Sequence, residues 1–528
     1  MNKNMNLNNL FFDSVRRNKD SLVVYGDTNK YTYDCFKNRV AMLASSLKNL
    51  GVKEGDVVAI ADWDSHRYLE MYFAIPMIGA TLMTCNIRLS KEQRDYTLNH
   101  CDAKFFFINS DFLHEIPNSK TVYPNLVKYI KISDKDDDEY ESFIALGDSC
   151  FGFSDIDENS IATLFYTSGT TGLPKGVSFT HRQLVLHTLA LSSFLSSGYG
   201  PQRLHAGDVY LPMTPMFHVH AWGFPYVATM LGLKQVYAGK YSAKSLCHLI
   251  KEEGVTFTHS VPTLLAMLLD EMETSNVDLE NLKVLVGGSQ LKPSLMHRAL
   301  DMGLDVWSGY GMSETGPVIS ISRLTPDQPE IKRCCAGQPI PFVDVAIKPE
   351  PDAIGKTPLV GEITVRAPWV TQGYYKDTQS TSMQWTDGRF HTGDVGYFTD
   401  DGTLVITDRK KDLIKSGGEW LSSSELESRA LEVDVIKDVS FIAMHDDKWG
   451  ERPVAFVVAK GDSNEKKVKQ SLRSHFNFLV SEGKLSSFSH PDLVLMVESL
   501  PKTSVGKIDK KQLIQYLEKE LHYEYKNC

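Results

Sequence analysis

From its start to about residue 150, the chain alternates short apolar runs with stretches whose apolar residues recur at helical spacing. That is the pattern of an α/β domain. The segment VVYGDTNKYTYDCF reads as a hairpin, with Asp27 to Lys30 in its turn. CFKNRVAMLASSLKNLG follows as an amphipathic helix stopped by Gly51. VVAIA at 57–61 and KFFFIN at 104–109 are apolar nearly throughout, as strands buried on both faces of a parallel sheet are. The run from Asp134 to Glu141 is acidic and reads as a solvated loop.

The alternation continues from 161 to about 345, with VYLPM and VTFTHSVP strand-like and SAKSLCHLIKEEG helical between them. From 360 the pattern changes to short strands and turns, as in GEITVRAP and the hairpin GYFTDDGTLVIT around Asp401-Gly402. The charged stretch DRKKD at 408–412 then precedes a smaller α/β region and marks the candidate domain boundary. No repeat period is visible.

A chain of 528 residues is long enough for two or three domains, and 42% hydrophobic residues supply a real core. The net charge of -10 is diffuse, which argues against a general nucleic-acid binder, since that needs a clustered basic surface. The eight cysteines are scattered, and the adjacent Cys334 and Cys335 lack the spacing of a zinc or redox site, so reduced thiols are expected. The Asn-rich start MNKNMNLNNLFF has no apolar signal core, and no run approaches the ~20 apolar residues that cross a bilayer. A cytoplasmic protein is expected, with at most transient membrane contact if its substrate is a lipid.

The strongest local signal is YTSGTTGLPKGV, Tyr166 to Val177, directly after the apolar IATLF. Small hydroxyl residues and glycines let backbone N–H groups and hydroxyls converge on phosphate oxygens, and Lys175 adds a mobile cation. It is not a Walker A loop, because Pro174 stands where that motif needs its second glycine. Further along come PMFHVHAWG (215–223), VGGSQL (286–291), SGYGMSETG (308–316), HTGDVGYF (391–398), DRKKDLIKSGGEWLSSSELE (408–427) and PKTSVGKIDK (501–510). SGYGMSETG ends a strand that follows a helix. His218 and His220 have the i, i+2 spacing of neighbours on one face of a strand, with no third ligand in view.

These motifs, in this order, resemble the adenylate-forming superfamily of acyl-CoA synthetases, nonribosomal peptide synthetase adenylation domains and firefly luciferase, over essentially the whole chain. The resemblance implies an α/β protein whose large N-terminal domain (1–408) combines α/β subdomains with a β-rich subdomain. A hinge (409–411) and a small mobile C-terminal α/β domain (412–528) would follow. Thr167, Ser168, Gly169, Thr170 and Thr171 would form the phosphate loop with Lys175, and Gly288, Gly309, Tyr310 and Gly311 would surround the adenine. Ser313 would lie near the phosphates, and Glu314 with Thr167 would hold Mg²⁺. Asp394 and Arg409 would reach the ribose; a carboxylate can accept from both ribose hydroxyls. His218 would stand beside the acyl carboxylate, with Val219 and Trp222 along the acyl chain. Lys411 would be the hinge residue. Lys415 and Trp420 would approach the adenylate from the small domain, where Gly417 and Gly418 line the thiol channel. Lys507 would be the catalytic lysine.

The implied reaction is ATP-dependent: a carboxylate attacks the α-phosphorus, pyrophosphate leaves, and coenzyme A then takes the acyl group from the adenylate. Lys507 would hold two mutually repelling anions in the first step, then withdraw as the small domain rotates. HVHAWG and SGGEW resemble bacterial fatty-acyl-CoA synthetases, so a medium- or long-chain fatty acid is expected. Short, branched or sulfur-containing acids stay open as alternatives. Met213 and Thr214 stand where amino-acid activators carry an Asp, which disfavours an amino-acid substrate. Three rival readings stay open: a fatty-acyl-AMP ligase serving a carrier protein, a luciferase-like oxygenase, and a silent nucleotide-binding protein. A homodimer is compatible with all of these.

Overall fold

The computed structural model describes residues 4–26, 29–113, 122–167, 173–199, 202–325, 327–349, 357–417, 419–461, 463–503 and 506–527. Ser168, Gly169, Thr170, Thr171 and Gly418 lie outside these.

Two sheets with helices packed on them form the bulk of the molecule. One has the spatial order Gln338–Pro339, Val318–Ile321, Asp305–Gly311, Lys283–Val286, Phe257–Ser260, Val209–Pro212, Lys234–Tyr237, Leu22–Tyr25, Asn29–Thr32. Its six central strands run parallel. The other runs Tyr374–Tyr375, Lys175–Thr180, Ile161–Thr167, Thr81–Thr84, Val57–Ala61, Phe105–Asn109, Lys128–Ile132. The runs VVAIA and FFFIN are wholly buried and pair in parallel, as their unbroken apolarity requires. Between strands, the helix Tyr33–Asn49 is N-capped by the Thr32 hydroxyl, and the chain turns away at Gly51, whose φ of +97° suits glycine.

A third, antiparallel sheet comprises Asp344–Pro349, Gly361–Arg366, Arg389–Phe398, Trp385–Thr386 and Leu404–Arg409. Beyond it the chain builds a separate sheet from Ile414–Ser416, Glu419–Leu421, Ile436–Asp446, Gly450–Ala459 and Leu493–Met496, with its own apolar core around Phe441, Val457 and Phe476. The architecture is that of an α/β protein with a smaller C-terminal unit.

One sequence reading needs correction and a second needs an addition. Asn29 and Lys30, expected in a turn, are strand residues paired with Tyr25 and Val24. The acidic run is not simply a solvated loop. Asp134 takes two hydrogen bonds from Arg67 at 2.9 Å, Glu141 pairs with Arg39 at 2.7 Å, and Tyr140 is fully buried with its hydroxyl on Glu70. The run carries its own anchors, because its end residues face arginines of two neighbouring helices while Asp136 and Asp137 stay at the surface.

Candidate active site

A cleft of about 2480 Å³ opens where the strand ends of the large sheets face the third sheet and the small domain. Strand carboxyl ends are where open α/β sheets bind ligands, since the loops there are free to diverge. Thr167 ends one strand and Lys175 begins the next, and the two are register partners at the mouth of a hairpin. The Lys175 ammonium lies 4.7 Å from the ring centre of Tyr374, and the Tyr374 hydroxyl donates to Glu314 Oε1 at 2.8 Å. Burial raises the pKa of Glu314, opposed by the Tyr374 bond and by the charges of Arg409 and Lys175.

At the other side of the cleft, Gly309, Tyr310 and Gly311 end the strand Asp305–Gly311, and Ser313 and Glu314 follow in a single 3-10 turn. Gly311 is required sterically, because a β-carbon there would sit 1.6 Å from the Pro317 carbonyl oxygen. The Tyr310 hydroxyl donates to Asp394 Oδ2 at 2.8 Å, and Arg409 Nε is 3.3 Å from Asp394 Oδ1. Asp394 and Arg409 meet because they are register partners on adjacent antiparallel strands. Tyr310 and Arg409, from two distant motifs, thus share the one buried carboxylate of a third.

Lys507 reaches this cleft from the small domain. Its loop docks through the Thr263 hydroxyl, which donates to the Gly506 carbonyl at 3.2 Å. Burial and the nearby Arg409, opposed by Asp394 and Glu314, bring the Lys507 pKa down to about 8. Its Cε comes within 3.2 Å of where a β-carbon on Gly288 would be. Lys411 also lines the cleft, its ammonium disfavoured by burial.

His218 lines the cleft beside Lys507. Burial, Lys507 and Arg88 lower its pKa to about 3, so it is a neutral hydrogen-bonding group. Its loop is pinned from below. Asp64 accepts from the Met216 amide at 2.8 Å, Thr84 donates to the Phe217 carbonyl at 3.0 Å, and Tyr72 donates to the Met216 carbonyl.

The strand expected for the histidine pair is absent. Val219, His220, Ala221 and Trp222 instead form a left-handed turn, with φ of 49°, 55°, 46° and 58°, closing on Gly223. Each such residue costs roughly 1–2 kcal/mol, so packing must hold the turn. Trp222 is packed on His259, with ring centres 5.0 Å apart, and His220 is boxed by Phe165, Tyr72 and Tyr226. Turning the chain this way sends His220 into the core while Val219 and Trp222 border the cleft.

Lys415, Gly417 and Trp420 do not line the cleft. The Lys415 ammonium lies 5.1 Å from the ring centre of Trp420, which is half exposed, and the Gly417 amide donates to Trp449. Of the small-domain candidates among the described residues, Lys507 is the one that faces the cleft. Tyr374 and Asp64 escaped the sequence reading. GYYKD and DWDSH carry no spacing that marks them, and both act through contacts more than fifty residues away in the chain.

Residues 11–375 match the family model described as AMP-binding enzyme, and residues 425–507 match the AMP-binding enzyme C-terminal domain. The chain belongs to the AMP-binding enzyme family. Like the CoA ligases among its relatives, this AMP-binding enzyme is an acid–thiol ligase: an acyl-CoA synthetase that uses ATP, coenzyme A and a small carboxylic acid. It is similar to a long-chain-fatty-acid–CoA ligase of Thermus thermophilus, 37% identical over 95% of this chain and 91% of the relative. A medium-chain-fatty-acid–CoA ligase of Ectopseudomonas oleovorans is 34% identical over 91% and 90%. A 3-methylmercaptopropionyl-CoA ligase of Ruegeria lacuscaerulensis is 33% identical over 89% of each chain. The fold matches that of an anthranilate CoA ligase bound to anthranoyl-AMP, with TM-score 0.86 and 20% identity over 98% of both chains. No helix among the described residues is long and apolar enough to cross a membrane.

Proposed function

We propose that this AMP-binding enzyme converts a medium- or long-chain fatty acid to its CoA thioester. The carboxylate oxygen bonds to the α-phosphorus of ATP as the bond to pyrophosphate breaks; the thiol then attacks the acyl carbonyl and AMP leaves. The observation that carries the reading is the position of Lys507, a cation held among Glu314, Asp394 and Gly288 at the meeting point of both domains. Joining two anions needs such a charge between them, and no base, since the carboxylate is ionised at neutral pH. His218, neutral, is suited to donate a hydrogen bond to the acid without adding charge. The Tyr310–Asp394–Arg409 group would take the ribose and the adenine edge, with Lys175 and Thr167 on the phosphates.

Mg²⁺ fits this donor set. Glu314 and the Thr167 hydroxyl give one carboxylate and one neutral oxygen, and this ion typically completes its shell with water and phosphate oxygens. Bound there, it would offset phosphate charge. Residues 409–411 would act as the hinge that later replaces Lys507 with the Lys415–Gly417 edge.

The fatty-acid assignment is supported by the two fatty-acid ligases among its relatives and by the apolar Val219, Trp222 and Leu285 on the acyl side of the cleft. A second reading, a short or sulfur-containing acid, is favoured by one observation. Trp222 Cη2 lies 3.0 Å from where a β-carbon on Gly287 would be, and behind it His259 packs on the rings of Phe224 and Tyr210. A long chain therefore requires Trp222 to move. An acid panel of increasing chain length, with AMP release measured in the presence of CoA, separates the two. Highest kcat/KM beyond eight carbons supports the first reading, and a maximum below six supports the second. AMP release without acyl-CoA contradicts both.

A further inference from the structure

Three side chains that neither reaction step uses meet at the junction between the domains. Asp408 stands on Leu404–Arg409, which pairs with Arg389–Phe398, so it belongs to the large-domain side of residues 409–411. Ser423 opens the helix Ser423–Ala430 on the other side. The Ser423 hydroxyl donates to Asp408 Oδ2 at 2.6 Å, and the Ser424 amide reaches the same oxygen at 3.3 Å. One residue earlier, the Ser422 hydroxyl donates to the Thr407 carbonyl at 2.7 Å. Lys510, three residues past Lys507, donates to Ser423 Oγ at 2.6 Å and pairs with Glu427 at 3.0 Å. Asp408, Ser423 and Glu427 are buried.

We infer that Asp408, Ser423 and Lys510 form a latch that holds the small domain with Lys507 inside the cleft. The inference rests on the proposed two-orientation reaction. Asp408 lies before the hinge segment, while Ser423 and Lys510 lie after it, so rotation about Lys411 pulls the carboxylate away from both. A buried carboxylate at a helix start is stabilised by the amide and hydroxyl it faces and by the helix dipole, and it loses these together. Ser423 can serve both neighbours at once, since its hydroxyl has one proton to give to Asp408 and a lone pair left for Lys510. The link to Lys507 is short and stiff: the Asp509 amide donates to the Pro501 carbonyl at 2.8 Å, and Lys502 bridges to Ile508. Latch closure and lysine insertion are therefore one event. Ser423 and Lys510 are positioning residues for the first half-reaction only.

The test is Ser423→Ala in the full-length enzyme, assayed in two halves. Acid-dependent ATP–pyrophosphate exchange falls about tenfold, the scale of one lost hydrogen bond to a charged group. Thioester formation from supplied dodecanoyl adenylate and CoA stays at the wild-type rate, and Ser423→Thr restores exchange. Fluorophores on the two domains also report a shift toward the separated orientation in nucleotide-free Ser423→Ala. Equal loss in both halves, unchanged exchange, or an unchanged domain separation overturns the latch. Wild-type enzyme that forms no acyl-CoA from any acid contradicts the proposed function instead, and the fluorescence comparison still decides the latch.

Discussion

The side chain of Lys507 crosses Gly288, with its Cε 3.2 Å from the place a β-carbon would occupy on that glycine. Gly288 has φ of +79°, so any replacement there both strains the backbone and crowds the lysine. Gly288→Ala is expected to slow pyrophosphate exchange by more than tenfold while lowering stability by about 1–2 kcal/mol, the usual cost of alanine in that conformation. Exchange assays alongside thermal unfolding separate the two effects.

Tyr310 and Asp394 form a coupled pair in a buried site. Tyr310→Phe leaves Asp394 Oδ2 without its donor, and Asp394→Asn removes the charge that Arg409 faces. Each is expected to raise the KM for ATP by roughly tenfold. Because they share one interaction, the double variant should fall short of the summed losses by about 1–2 kcal/mol. A double-mutant cycle on kcat/KM for ATP measures this.

The depressed pKa of Lys507, about 8, fixes a pH dependence. The lysine works as a cation, so kcat/KM for ATP should decline above about pH 8, and kcat should hold to higher pH because bound anions favour the charged form. Stability follows the opposite sense. Below pH 8 the folded protein holds a buried cation at a cost. Between 8 and 10.5 the unfolded chain binds the extra proton, and stability rises with pH through that window. Lys507→Met should abolish both trends.

Lys411 lies in the segment through which the small domain would rotate. Lys411→Pro fixes one backbone angle there. Pyrophosphate exchange should persist near its normal rate while thioester formation slows by at least tenfold. Equal loss in both assays would argue against a hinge at this position.

Much of the site can be read from the chain because its parts are local. The hairpin mouth at Thr167 and Lys175 and the strand end carrying Tyr310 each arise from a short contiguous motif, and Asp394 and Arg409 sit on two neighbouring strands of one hairpin. What the sequence hides depends on contacts between distant segments. Tyr374 matters because its hydroxyl meets Glu314, sixty residues earlier. The left-handed turn at Val219–Trp222 runs against the intrinsic preference of valine, alanine and tryptophan; the surrounding aromatic box and the Asp64, Tyr72 and Thr84 pins on the preceding loop help to hold it. The run from Asp134 to Glu141 is mostly exposed, as its charge implies, but its anchors are hidden in the sequence because Arg39 and Arg67 come from other parts of the chain.

The most direct test is Lys507→Ala, with each half-reaction measured separately. A lysine that joins the two anions predicts a loss of acid-dependent ATP–pyrophosphate exchange of about 10²–10³, as for other lost charge-stabilising groups, with acyl transfer from supplied adenylate to CoA retained. Full-speed exchange in the alanine variant would contradict the account.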